Sequence, residues 1–167
     1  GRLVKGVQPD IVTMENVAQI LTFKEKPVLS DFISLLKEEG YCVSVDKVFC
    51  PDYGIPQSRR RLVLLASKFG EIKLMSPTHR PSNYVTVKDT IGGLPDLSAG
   101  EVDKQDPLHR ARALSPLNMK RIQNTPYGGS WRDWSEDLLL QCHKSENGKS
   151  FGSVYGRMVW EKPAPTM

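Results

Sequence analysis

The chain has 167 residues, 39% of them hydrophobic and 25% charged, with a net charge of +4 and a pI near 9.0. That is a globular composition with apolar content for one core and a smaller lobe; no run approaches the roughly 20 apolar residues of a membrane-crossing helix, and residues 1–9 lack the apolar stretch of a secretory signal. A cytoplasmic protein without membrane contact is expected, and its positive charge suits a polyanionic partner. Cys42, Cys50 and Cys142 are odd in number and far apart, with no CxxC pair, so reduced structural thiols are expected and neither a disulfide framework nor a metal site is.

The chain opens without an initiator Met on the basic stretch Gly1-Arg2-Leu3-Val4-Lys5 and stops at Met167 after Lys162-Pro163-Ala164-Pro165-Thr166, which gives it the look of an excised piece. Asp10-Ile11-Val12-Thr13-Met14 is a short, β-branched apolar run that predicts a buried strand, with Glu15-Asn16 at its carboxyl end. From Pro27 to Glu39, Val28, Leu29, Phe32, Ile33, Leu35 and Leu36 recur at helical spacing, and Gly40 supplies the C-terminal cap. Tyr41 to Phe49 alternates as a strand does, and Arg61 to Ser67 reads as a fully buried one. Between them, Cys50-Pro51-Asp52-Tyr53-Gly54-Ile55-Pro56 is a loop, short enough to allow an antiparallel pair.

Strand, helix, strand and a closely following strand predict the second half of an open α/β sheet, in which functional side chains gather at the carboxyl ends of strands. After Gly70 the texture changes to scattered prolines and glycines, which marks a lobe boundary. Within the lobe, Val85 to Ile91 reads as a short strand or a helix start. Ser115-Pro116 opens a helix running from Leu117 to about Gln123, with Ser as N-cap and Pro in the first turn. Ser98 to Gln105 and Lys144 to Lys149 are expected to be mobile tips.

Two places could carry chemistry. Glu15 stands where such a fold presents a carboxylate to a ligand, or else caps the turn from Asn16 to Leu21. Gln57-Ser58-Arg59-Arg60-Arg61 puts guanidinium groups at the head of an apolar strand, where alternation sends Arg59 and Arg61 to one face and Arg60 to the other. These forks suit a phosphate or a base carbonyl, or else pair with local carboxylates at a solvated strand end.

Glu15-Asn16-Val17 at a strand end, followed by Tyr53-Gly54-Ile55-Pro56-Gln57-Ser58-Arg59-Arg60-Arg61, resembles the ENV and QxRxR blocks of the DNA cytosine-5 methyltransferases. Tyr155-Gly156-Arg157-Met158-Val159-Trp160, continuing through Pro163-Ala164-Pro165-Thr166, is similar to the block after that family's target recognition region. His109-Arg110-Ala111, Leu114-Ser115-Pro116 and Thr125-Pro126-Tyr127-Gly128-Gly129 are similar to a common bacterial branch. These ordered blocks cover nearly the whole chain.

The resemblance implies residues 1–70 as the C-terminal part of a catalytic, Rossmann-like sheet that uses S-adenosylmethionine, 71–153 as a small irregular target recognition lobe, and 154–167 as the start of a return segment. It implies a restriction-modification enzyme that flips a cytosine out of duplex DNA, attacks C6 with a cysteine and methylates C5. Glu15 would polarise cytosine N3 and accept from its exocyclic amine, holding a proton in a closed site. Arg59 and Arg61 would hold the base O2 and a phosphate, and Gln57 and Asn16 would support them. In the lobe, His79, Arg80, His109, Arg110, Arg112, Lys120, Arg121, Trp131 and Arg132 are candidate contacts to double-stranded DNA. Tyr127-Gly128-Gly129 with Trp131 and Trp134 forms either a loop packed on DNA or a small core.

The departures are equally specific. Nothing in the sequence corresponds to the family's Pro-Cys nucleophile motif or to its glycine-rich loop for S-adenosylmethionine, and its final block would follow Met167. The expected partner is therefore an N-terminal catalytic segment carrying both elements, without which this chain would be inactive. The alternative is a catalytically dead DNA-binding module derived from such an enzyme.

Overall fold

The computed structural model describes residues 1–22, 27–145, 152 and 155–166. The chain divides into two compact units, Gly1–Tyr84 and Val85–Met167, each described by itself. The first contains helix α1 (Arg2–Val7), strand β1 (Ile11–Asn16), a 3-10 turn (Ala18–Thr22), helix α2 (Val28–Glu38), strand β2 (Cys42–Phe49), a 3-10 turn (Cys50–Tyr53) and strand β3 (Arg60–Ser67). The sheet order is β1-β3-β2. Strand β3 is antiparallel to both neighbours, with Val63 opposite Glu15 on one side and Asp46 on the other. The helical crossover through α2 thus leaves β1 and β2 parallel to each other, and the short loop after β2 sends β3 back between them.

The pleat sorts β3 into two faces. Leu62, Leu64 and Ala66 are fully buried, and with Leu29 and Leu36 of α2 and Tyr41 they form the core, flanked by half-buried Val12, Met14, Val43 and Val45. Each fully buried leucine contributes on the order of 1.5–3 kcal/mol. Helix α2 ends as its sequence predicts. Gly40 takes φ 86°, and the N–H groups of Gly40 and Tyr41 donate to the carbonyls of Lys37 and Leu36, closing the last turn in a left-handed cap. Helix α1 has no sequence signal, because it buries no residue; Leu3 and Val7 are 76% and 72% exposed, and Gln8 ends it at φ 50°.

The first unit continues past the compositional change at Gly70. Residues 71–84 form an extended strap fastened back on the sheet, with Ser44 Oγ donating to the Ile72 carbonyl at 2.7 Å and Thr78 and His79 N–H both donating to the Asp52 carbonyl. Prolines that end regular structure do not end packing, and the compact unit runs to Tyr84.

The second unit has helix α3 (Val87–Ile91), helix α4 (Pro116–Gln123), 3-10 turns at Trp131–Asp133 and Glu136–Leu138, and the short helix α5 (Gln141–Lys144). The segment after Tyr84, read as strand or helix start, is a helix because Thr86 and Asp89 form a reciprocal capping box. Ser115 caps α4 by accepting from Asn118 N–H, with Pro116 in the first turn. Trp131, Trp134 and Leu138 form a second core. Residues 98–105, expected to be a mobile tip, form part of a hairpin in which Val102 bridges Arg110. Residues 146–149 of the other expected tip, and the expected boundary at 153–154, lie outside the described residues.

Candidate functional site

The residues singled out in the first unit converge at the open end of the sheet. Strand β1 runs through Asn16, so Glu15 is the penultimate residue of the strand rather than the residue after it. Glu15 lies opposite Val63, on the face that also carries Arg61 two residues earlier in β3. Arg61 Nε and Glu15 Oε1 form an ion pair at 2.5 Å, and one terminal nitrogen of Arg61 donates to the Arg60 carbonyl. The two ends of the pair differ in solvation: the Arg61 side chain is 18% exposed and that of Glu15 59%. Glu15 therefore does not cap the following turn. Asn16 Oδ1 accepts from Val17 N–H at 2.8 Å. The closed surroundings expected for Glu15 are not formed by the described residues.

Arg60 turns to the other face, as alternation predicts, and its guanidinium lies 4.4 Å from the centre of the Phe49 ring. Arg59 precedes the strand and is half-buried, and its carbonyl accepts from Cys50 N–H at 2.9 Å, which closes the base of the loop. Gln57 N–H donates to the Ile55 carbonyl within the same loop. This loop is also held from outside. Tyr84 OH donates to Asp52 Oδ1, an acceptor charge that raises the tyrosine pKa, and the Tyr84 ring meets Phe49 edge-on. Gly54 has φ 78°, and a Cβ there would come within 2.8 Å of the His79 ring. Asp52, His79 and Tyr84 thus buttress the arginine loop. Sequence reasoning missed Asp52 and Tyr84 because their partners are far away in the chain.

In the second unit the candidate DNA contacts separate into different classes. Arg110 and Arg112 are exposed, as is Arg80 of the first unit. Lys120 reaches Asp137 at 3.5 Å, with both side chains largely in solvent. The Arg132 guanidinium lies 5.6 Å from the Trp131 ring centre. His109 Nε2 donates to the Pro95 carbonyl at 2.8 Å, which fixes its tautomer. Arg121 differs from all of these. It is 7% exposed, donates from Nε to the Leu138 carbonyl at 2.8 Å and from a terminal nitrogen to Asn118 Oδ1 at 3.1 Å. Sequence reasoning took it for a surface cation; the structure turns it inward.

The two tryptophans resolve in favour of a core. Trp131 and Trp134 are buried, and Trp134 Nε1 donates to Thr125 Oγ1 at 2.8 Å. The Tyr127-Gly128-Gly129 loop is tied to the return segment. Tyr127 OH donates to Glu161 at 2.6 Å, which raises the tyrosine pKa and lowers that of Glu161, and it accepts from Trp160 N–H. Gly128 at φ 70° passes Val159 so closely that a Cβ would come within 2.9 Å of it.

His143 is a feature no local signal revealed. It is 7% exposed, stacks on Trp131 with 4.3 Å between ring centres, and its Nδ1 has no hydrogen-bond partner. Burial, aided by the Arg121 charge, lowers its pKa below the ordinary histidine value. The unfolded chain then binds the proton more readily, so stability is full above the ordinary histidine range and is lost as pH falls through it. The melting temperature is expected to drop between about pH 7.5 and pH 5, above the carboxylate range, and His143→Phe, which keeps the stack, is expected to flatten that dependence. An unchanged pH slope in the variant would remove His143 as its source.

The cysteines are free, with Cys42 and Cys142 exposed and Cys50 half-buried. Among the described residues no cluster of three or more His, Cys, Asp or Glu is placed to hold a metal, and no helix is long and apolar enough to cross a membrane.

The first unit is thus a mixed α/β unit with a carboxylate and a guanidinium paired at its strand ends, and the second is small and irregular. The crystal structure of a prophage-encoded E. coli protein named as a DNA modification methyltransferase superposes over 99% of this chain and 54% of its own, with TM-score 0.58 at 22% identity. The profile of the C-5 cytosine-specific DNA methylase family matches residues 1–162. The chain belongs to that family. It is 51% identical over 166 residues to Type II methylase M.HgiDII of Herpetosiphon aurantiacus, covering 99% of this chain and 47% of that protein. It is 33% identical over 138 residues to Type II methyltransferase M1.HphI of Haemophilus parahaemolyticus, covering 82% of this chain and 36% of that protein. The chain thus spans about half the length, or less, of these relatives.

Proposed function

We propose that this chain is the base-holding and DNA-recognition part of a DNA (cytosine-5-)-methyltransferase. The observation that carries the reading is the Glu15–Arg61 pair at the carboxyl end of β1, made by side chains of two separate sequence blocks. In the reaction, a carboxyl group that hydrogen-bonds cytosine N3 makes C6 electrophilic, and Glu15 fills that role. Arg61 orients Glu15, and Arg59 with Gln57 serves the base carbonyl and a neighbouring phosphate from a loop braced by Asp52. Asn16 ends the strand and directs the chain away from the base.

The methyl donor of this reaction is S-adenosylmethionine. Residues 17–22, which follow β1, contain no glycine, and Ala18–Thr22 folds into a 3-10 turn, which offers the donor no glycine-rich cradle. The donor and the nucleophilic cysteine belong to an N-terminal segment with the Pro-Cys and glycine-rich motifs. The exposed apolar surface of Leu3, Val7 and Ile11 beside β1 suits a covering segment of that kind. The second unit then serves as the recognition lobe, with Arg110, Arg112, Lys120 and Arg132, besides Arg80 of the first unit, as candidates for DNA contact and Arg121 as a core residue.

The full-length protein, incubated with duplex DNA and methyl-labelled S-adenosylmethionine, is expected to place label on cytosine C5. Binding of DNA with no label transferred to any sequence would leave instead a DNA-binding module without catalysis.

A further inference from the structure

The loop that carries Gln57 and Arg59 is held by more than its own backbone. Its neck is the cross-strand pair Phe49 and Arg60, opposite each other in register, next to which Cys50 N–H donates to the Arg59 carbonyl. Its returning half runs through two three-residue turns, with Gln57 N–H on the Ile55 carbonyl at 2.8 Å and Arg59 N–H on the Gln57 carbonyl at 2.7 Å. Turns of that size fix single residues. The orientation of the loop as a whole therefore depends on what grips its outward turn, Cys50–Tyr53.

That grip comes from the strap of residues 71–84. Tyr53 OH donates to the Met75 carbonyl at 3.3 Å, and the Asp52 carbonyl accepts from Thr78 and His79 N–H at 2.9 and 3.0 Å. Near the end of the strap, Arg80 N–H donates to Asn83 Oδ1 at 2.6 Å and Asn83 N–H to the Arg80 carbonyl at 2.9 Å, a turn that brings Tyr84 back to the loop. Tyr84 OH then donates to the Asp52 carboxylate, and its ring meets Phe49 edge-on with 5.9 Å between centres. Tyr84 thus touches both the outward turn and the neck. Asp52 is gripped at two points, its carbonyl and its carboxylate. One point fixes a position, whereas two fix an orientation. Phe49 and its partner Arg60 lie on the face of the sheet opposite Glu15 and Arg61, so this clasp holds the loop from the side away from the base-holding pair.

We infer that Tyr84 is a positioning residue for methyl transfer: its hydroxyl on Asp52 and its ring on Phe49 hold the arginine loop in the orientation from which Gln57 and Arg59 meet the cytosine. Tyr84 itself touches no reacting atom. This rests on the reading of the protein as a cytosine-5 methyltransferase.

The test measures the single-turnover rate of methyl transfer by the full-length protein, beside its melting temperature and its affinity for duplex DNA. Tyr84→Phe keeps the ring on Phe49 and removes only the hydroxyl. It is expected to slow transfer about tenfold with duplex affinity unchanged, since a misplaced loop costs rate more than binding. Asp52→Ala is expected to do the same, and the double variant to be no slower than the slower single one, because both changes remove one bond. Asp52→Asn, which still offers the hydroxyl an acceptor, is expected to recover most of the rate. All rates are taken below the unfolding transition, so a loss of stability alone leaves them unmoved. A wild-type rate in Tyr84→Phe, losses that multiply in the double variant, or an Asp52→Asn protein as slow as Asp52→Ala would overturn the positioning role and leave the methyltransferase reading intact. A wild-type protein that transfers no methyl group to any DNA would overturn both.

Discussion

Glu15→Gln in the full-length protein is expected to cut methyl transfer by about 10²–10⁴-fold, the range for loss of a positioned proton donor. The substitution keeps the shape of the side chain and its ability to accept from Arg61, but an amide cannot pass a proton to cytosine N3. Because Glu15 is a solvated strand-end residue, stability should change by no more than about 0.5 kcal/mol. DNA affinity should stay near that of the wild type, since the phosphate contacts are elsewhere. The loss should appear in kcat with little change in KM, as for an interaction made in the transition state. Arg61→Lys should share part of that loss, because a single ammonium cannot contact Glu15 and the Arg60 carbonyl with the geometry of a guanidinium. Near-wild-type turnover of Glu15→Gln would remove the assigned role.

Arg121→Ala is expected to destabilise the protein by about 2 kcal/mol and to lower Tm by roughly 4–8 °C, because it removes two hydrogen bonds from a charged donor and leaves a buried carbonyl unpaired. That carbonyl belongs to Leu138, which is 2% exposed, and the guanidinium also lies 5.9 Å from the Trp134 ring centre, so its loss also loosens the second core. The salt slope of DNA binding, measured below the transition, should be unchanged. The opposite pattern, a slope reduced by about 1 with Tm unmoved, would put Arg121 on a phosphate after all.

These two residues mark where the sequence was informative. Glu15 and Arg61 were legible because strand alternation and ordered motifs place a residue on a face and at an end without reference to the rest of the fold. The same holds for helix α2 with its Gly40 cap and for helix α4 with Ser115 and Pro116, whose signals lie within a few residues. Arg121 was misjudged because a cation on a short helix carries no local mark of whether a carbonyl seventeen residues on will meet it.

By itself the sequence determined the three strands and helix α2 of the first unit, and the family. Periodicity, caps and motif order are local, and their physics is settled within a turn or a strand pair. Only the tertiary structure decided that β3 returns between β1 and β2, that Glu15 is paired with Arg61, and that Asp52 and Tyr84 brace the arginine loop. It alone decided that Arg121 and His143 are buried in the second unit. Each of those outcomes depends on contacts between residues distant in the chain or on the desolvation of a polar group, and neither is written in the spacing of residue types.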